Sequence, residues 1–134
     1  MEILKMSLQK KILGILLISI SLISTSHAFE GKLHITPISM DFFGSITGAK
    51  KGDVLTVVDP DQVVCGQFII HKPGNYGFLH VYGDDPSTSI DEGAVISDKL
   101  TFLLNQKPVM MSDDIIWSGD KKRQRLDIHI NTQE

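Results

Sequence analysis

Past its first thirty residues the chain alternates apolar and polar positions at a period of two, in runs of five to nine broken by Gly, Pro, Asp, Asn and Ser. That period predicts strands, since successive side chains of a strand point to opposite faces. Residues 63–71 (VVCGQFIIH) and 76–82 (YGFLHVY) are rich in β-branched and aromatic residues and are separated by Lys72-Pro73-Gly74-Asn75, a turn sequence. They form the predicted central hairpin, closed by Gly83-Asp84-Asp85-Pro86 and an acidic loop to Gly93. In 53–58 (DVLTVV) both faces are largely apolar, which predicts a central or well-covered strand. Further strands are expected at 32–35, 38–46, 99–104 and 125–130, with short extended pieces at 109–111 and 115–117. In 125–130, Leu126, Ile128 and Ile130 read as the inner face, Asp127 and His129 as the outer. Gly66, in mid-strand, predicts a bulge or a close approach of another backbone. No window sustains helical spacing. The expectation is an all-β, two-sheet sandwich of about seven short strands.

The amino-terminal pattern is different. Lys5, Lys10 and Lys11 precede an uncharged apolar run at 12–23 and the small-residue stretch Ser26-His27-Ala28. That order reads as a secretory signal peptide over residues 1–28, with an uncleaved anchor as the alternative. The run is short of the roughly 20 residues a bilayer span takes. Residues 29–134 are then the single β-sandwich domain, exported to the periplasm or the exterior, with no membrane span after cleavage. This portion carries 15 acidic residues against 10 Lys and Arg. With no basic face to displace counterions, nucleic acid is not the expected partner. The basic cluster Lys121-Lys122-Arg123 with Arg125 reads as a solvated turn. Cys65 is the single cysteine, so stability rests on packing without an internal disulfide, and Cys65 reads as a small buried hydrophobe.

One set of motifs carries a resemblance. Gly44-Ser45-Ile46-Thr47-Gly48, Gly52-Asp53, Cys65-Gly66-Gln67-Phe68, Gly74-Asn75-Tyr76-Gly77-Phe78, Val81-Tyr82-Gly83-Asp84-Asp85-Pro86-Ser87-Thr88, Glu92-Gly93-Ala94, the 99–104 strand, Trp117-Ser118-Gly119-Asp120 and Arg125-Leu126-Asp127-Ile128 together cover about 43–130. As a set they resemble a small β-sandwich module of bacterial exported and cell-surface proteins, similar in architecture to immunoglobulin-like and transthyretin-like (carboxypeptidase regulatory-type) sandwiches. Ser97-Asp98 stands where that pattern often has Gly-Asp, and Asn105-Gln106 where it often has Asn-Gly. Such modules usually accompany other domains and have no established catalysis.

The candidate chemistry is sparse. Asp84, Asp85, Asp91 and Glu92 offer hard oxygen ligands on one loop, as calcium takes, without EF-hand spacing; the alternative is that they cap the turn. No other cofactor is implied. His34, His71, His80 and His129 lie on separate strands without zinc-ligand spacing. Tyr76, Tyr82 and Trp117 are candidate partner-binding aromatics if exposed, and core if buried; Tyr76 and Tyr82 are read as sharing a face with Phe78. No nucleophile-elbow pattern surrounds any serine. The expectation is a non-enzymatic binding or structural module that meets a protein or glycan surface. A calcium-stabilised surface protein and a small hydrolase are the alternatives.

Overall fold

The computed structural model describes residues 31–131; the predicted leader and the last three residues lie outside them. Nine strands run in chain order: β1 Ser39–Thr47, β2 Val54–Val58, β3 Val64–Ile69, β4 Gly74–Tyr82, β5 Lys99–Leu104, β6 Lys107–Pro108, β7 Ile115–Ile116, β8 Arg123–Arg125 and β9 Ile128–His129. They form two sheets. The first has the order β4-β1-β8, with β9 following β8 along β1; the second has the order β3-β2-β5-β6, with β7 also on β5. The fold is an all-β, two-sheet sandwich.

The apolar period explains which face is inside. β1 sends Met40, Phe42 and Ile46 into the core, β2 sends Leu55 and Val57, and β5 sends Leu100 and Phe102. The Phe42 and Phe102 rings meet edge to face at 5.6 Å, one from each sheet. Leu79, Val81, Cys65 and Ile128 fill the remaining space. Ile128 is buried while Leu126 and Ile130 are partly buried against the same core, as the alternation in 125–130 predicts. β2 is central, paired with β3 on one side and β5 on the other. Its second face is apolar too, and Val58, Val64 and Leu103 form a small outer cluster under Leu33.

Several expectations need correction. The strands flanking Lys72-Pro73-Gly74-Asn75 do not pair as a hairpin: β3 lies beside β2 in the second sheet and β4 beside β1 in the first, so that turn carries the chain from one sheet to the other. Residues 32–35 make no strand: they run without a ladder partner, and Leu33 serves as a lid on the outer cluster. The short strand after β5 is Lys107–Pro108, in the expected turn, and not 109–111. The hairpin Asn105-Gln106 is tight, with both residues at positive φ, so pairing with β5 resumes immediately. The 125–130 run is two short strands, because Leu126 and Asp127 interrupt pairing with β1.

Two glycines decide local geometry. A Cβ on Gly66 would lie 2.6 Å from the carbonyl oxygen of His80, so β3 crosses close to β4 there. The β2–β3 register also slips between Val57 and Val58, where Val64 and Cys65 oppose a single step. Gly77 has φ +123, and a Cβ there would come within 2.7 Å of the Phe43 Cβ. It sits where the β1–β4 register shifts between Phe42 and Gly44. That bulge puts Tyr76 inside and Phe78 outside, although the two are separated by the spacing of one face.

Candidate functional site

The bulge gives the first sheet an outer face of defined chemistry. Beyond it, β4 turns Phe78, His80 and Tyr82 outward while Leu79 and Val81 stay buried. Cross-strand register places His80 opposite Asp41 on β1, and Asp41 opposite Arg123 on β8. The next row holds Phe43 opposite Arg125. His80 Nδ1 lies 2.6 Å from Asp41 Oδ1, and Arg123 Nε lies 3.9 Å from Asp41 Oδ2. The Arg123 guanidinium also stands 5.3 Å from the centre of the Phe78 ring, within cation–π range. Phe43 and Phe78 meet edge to face at 5.4 Å, and the His80 and Tyr82 rings are 6.2 Å apart. Phe78 remains 50% exposed. The result is a narrow aromatic strip edged by an imidazole, a carboxylate and two guanidiniums, on open sheet rather than in a cleft. Arg125 is itself held by Asp127 at 3.2 Å.

Of the three aromatics singled out from the sequence, only Tyr82 joins this strip. Tyr76 is 5% exposed and donates its hydroxyl to the Leu126 carbonyl at 2.6 Å. Burial pushes that hydroxyl's pKa up. Trp117 is 3% exposed and donates its indole N–H to the Val81 carbonyl at 3.0 Å. Both have an apolar body in the core and a polar tip on a backbone carbonyl, so neither offers a surface to a partner. Sequence reasoning placed Tyr76 beside Phe78 because a period of two was carried through the bulge. Phe43 and Arg123 were missed; the signal that could have found them is Gly77, since a glycine inside a strand marks a possible change of face.

The predicted acidic ligands do not converge as a set. Asp85 Oδ1 accepts from the Ser87 backbone N–H at 2.9 Å, and Asp84 Oδ1 accepts from that of Glu92 at 3.1 Å. Glu92 Oε2 accepts from the Thr88 hydroxyl at 3.0 Å. These bonds shape the loop itself, and those to Ser87 hold the Asp85 carboxyl below its ordinary value. Asp91 instead faces the β2–β3 turn, where it meets Asp59 and Asp61; one carboxylate oxygen of each lies within 4.8 Å of the others. Asp59 is 2% exposed and accepts from the Val63 N–H at 2.9 Å. Burial raises the pKa of Asp59 against the opposing pull of that bond, and the Asp91 charge raises it further. Asp91 is raised by desolvation and by Asp84 and Asp61. Three carboxylates brought this close are suited to a hard divalent cation, with oxygens from two separate loops. Residue order offers Asp59 or Asp61 only as a distant additional ligand to the acidic loop, because spacing along the chain does not show which loops meet.

The remaining candidates sit apart. His129 Nδ1 lies 2.7 Å from the Thr47 hydroxyl, and the His71 ring meets Phe68 at 5.9 Å. Cys65 is buried, with desolvation pushing its thiol up to about 12, so it is an unreactive core side chain. Among the described residues, no buried side-chain nitrogen or oxygen lacks a hydrogen-bond partner. No helix among them is long and apolar enough to cross a membrane. No family model matches the chain, and no curated protein or solved structure matches it at a significant level.

Proposed function

We propose that this chain is an exported, non-enzymatic β-sandwich module whose work is contact, and that it docks on a glycan surface through the outer face of its first sheet. The observation that carries this reading is the strip itself: half-exposed Phe78 beneath the Arg123 guanidinium, with His80 and Asp41 paired alongside. An aromatic ring accepts the C–H face of a sugar, and a planar guanidinium, a carboxylate and an imidazole match its hydroxyls. A protein partner of standard size needs roughly 800 Å² per side with an apolar centre. A narrow strip crossing β4, β1 and β8, with one half-exposed ring and a border of charge, suits a chain of sugar rings better. The leader-like pattern at 1–28 supports export to the periplasm or exterior, where such surfaces lie.

The test is retention of the protein on purified insoluble envelope glycan and on other polysaccharides, compared with a Phe78→Ala variant. Wild-type retention that falls about tenfold in the variant supports the reading, since one stacked ring is worth about 1–1.5 kcal/mol. Failure of the wild type to bind any polysaccharide, retention unchanged by the substitution, or binding to protein alone would sink it.

The Asp59, Asp61 and Asp91 cluster favours a second reading, a surface protein stabilised by calcium. A cation there would tie the β2–β3 turn to the loop after β4, and would raise Tm without touching the aromatic strip.

A further inference from the structure

A cleft opens at the end of the sandwich away from the carboxylate cluster. The β1–β2 turn, the β5–β6 hairpin and the end of β9 enclose about 820 Å³. Small-molecule sites commonly hold about 300–1,000 Å³, with an apolar floor and a few placed polar groups. Here Leu104, Val109 and Ile130 line the cleft and also pack on the core from outside. Met110, 82% exposed, adds a flexible apolar wall. Lys50, Asp53, Asn105, Lys107 and His129 are the main polar side chains of the lining.

The charge balance at this end is set by how Asp53 is used. Its Oδ1 accepts from the Asn105 side-chain amide at 3.0 Å, and its Oδ2 accepts from the Lys50 backbone N–H at 2.7 Å. Asn105 in turn accepts from the Val54 N–H at 2.9 Å. These bonds staple the β1–β2 turn to the β5–β6 hairpin, so the two walls are fixed relative to each other. They hold the Asp53 carboxyl below its ordinary value and so keep it charged; among the described residues the cleft lining carries two ammonium groups against this single carboxylate. Among the described residues, neither the Lys50 nor the Lys107 ammonium is in a salt bridge, though Lys50 supports the Asp53 charge at longer range. A chain with more acidic than basic residues thus presents a cation-rimmed, apolar-floored cleft.

We infer that this cleft binds a small amphipathic anion, one negatively charged head on a short apolar body, with the head at Lys50 and Lys107 and the body on Leu104, Val109 and Met110. A neutral ligand would leave the ammonium groups unused, and a compact inorganic anion would leave the floor uncovered. The inference is independent of the glycan reading, because the cleft and the aromatic strip share no residue.

The experiment is a titration of the isotope-labelled protein with decanoate and, separately, with decylammonium, followed by amide NMR. Decanoate is expected to shift the amides of Lys50, Asn105, Lys107 and Met110 while those of Phe78 to Tyr82 stay in place. Decylammonium, with the same chain and the opposite charge, is expected to bind at least about tenfold more weakly. Lys50 and Lys107 are both exposed, so Lys107→Ala and Lys50→Ala leave the core intact; each should weaken decanoate about tenfold, the scale of one charged hydrogen bond. No saturable shift at these amides overturns the inference. So do equal affinity for the two amphiphiles, or lysine variants that bind decanoate as the wild type does.

Discussion

On its inner face, β4 sends Tyr76, Leu79 and Val81 between the sheets; on its outer face, it presents Phe78, His80 and Tyr82. Each face has an aromatic residue and a polar group that needs a partner. Inside, the tyrosine hydroxyl is satisfied by a backbone carbonyl and the ring is out of water. Outside, the imidazole pairs with a surface carboxylate at 2.6 Å, the guanidinium stands 3.9 Å from the same carboxylate, and half of a phenyl ring is left in water. The difference lies in what completes each residue. A side chain whose polar tip ends on the fold's own backbone is structural; one completed only by other surface groups keeps capacity for a ligand.

The contrast can be broken most sharply at Phe42. Its ring is buried against Phe102, so Phe42→Ala should cost about 3–5 kcal/mol in urea unfolding, a large part of the stability of a domain this size. A loss below about 1 kcal/mol would mean that the two sheets are not packed as described. Tyr76→Phe removes one hydroxyl and strands the Leu126 carbonyl; about 1–2 kcal/mol should be lost, with no effect on glycan retention. Retention that fell with it would place Tyr76 on the contact surface after all.

Asp91→Asn sharpens the comparison at the loops. The Asp59 and Asp91 pKa values are raised in the folded state, so their contribution is most favourable below the unfolded value near 3.8. It is lost as pH rises through the folded values. At neutral pH in EDTA the variant should therefore melt a few degrees above the wild type, with the gap closing as the pH falls through that range. Calcium should raise the wild-type Tm and leave the variant unmoved; an equal calcium response in both would remove the cation reading. The smallest effect belongs to Phe78→Ala, which should cost about 1 kcal/mol or less of stability, through its contacts to Phe43 and Arg123, while lowering glycan retention. A large stability loss would make Phe78 part of the core.

Much of the architecture was legible in residue order. The turns at Asp59-Pro60 and at Lys72-Pro73-Gly74-Asn75, the two apolar faces of β2 and the alternation before and after them place most of the strands. Gly66 announced a bulge and a close backbone, and both are there. Legibility failed where a distant partner decides. Residues 32–35 look like a strand but meet no ladder. Asp91 looks like the partner of Asp84 and Asp85 but faces Asp59 and Asp61 across the end of the sandwich.

Over the described residues, local chemistry was enough to specify strands and turns in place of helix, because side-chain period and turn geometry act over a few neighbouring residues. Which aromatic is core and which is surface, which acids meet, and where a cleft opens were decided by three-dimensional packing. A one-residue bulge reverses the face of every side chain beyond it. Carboxylates on separate loops interact through space, at distances that spacing along a chain does not encode.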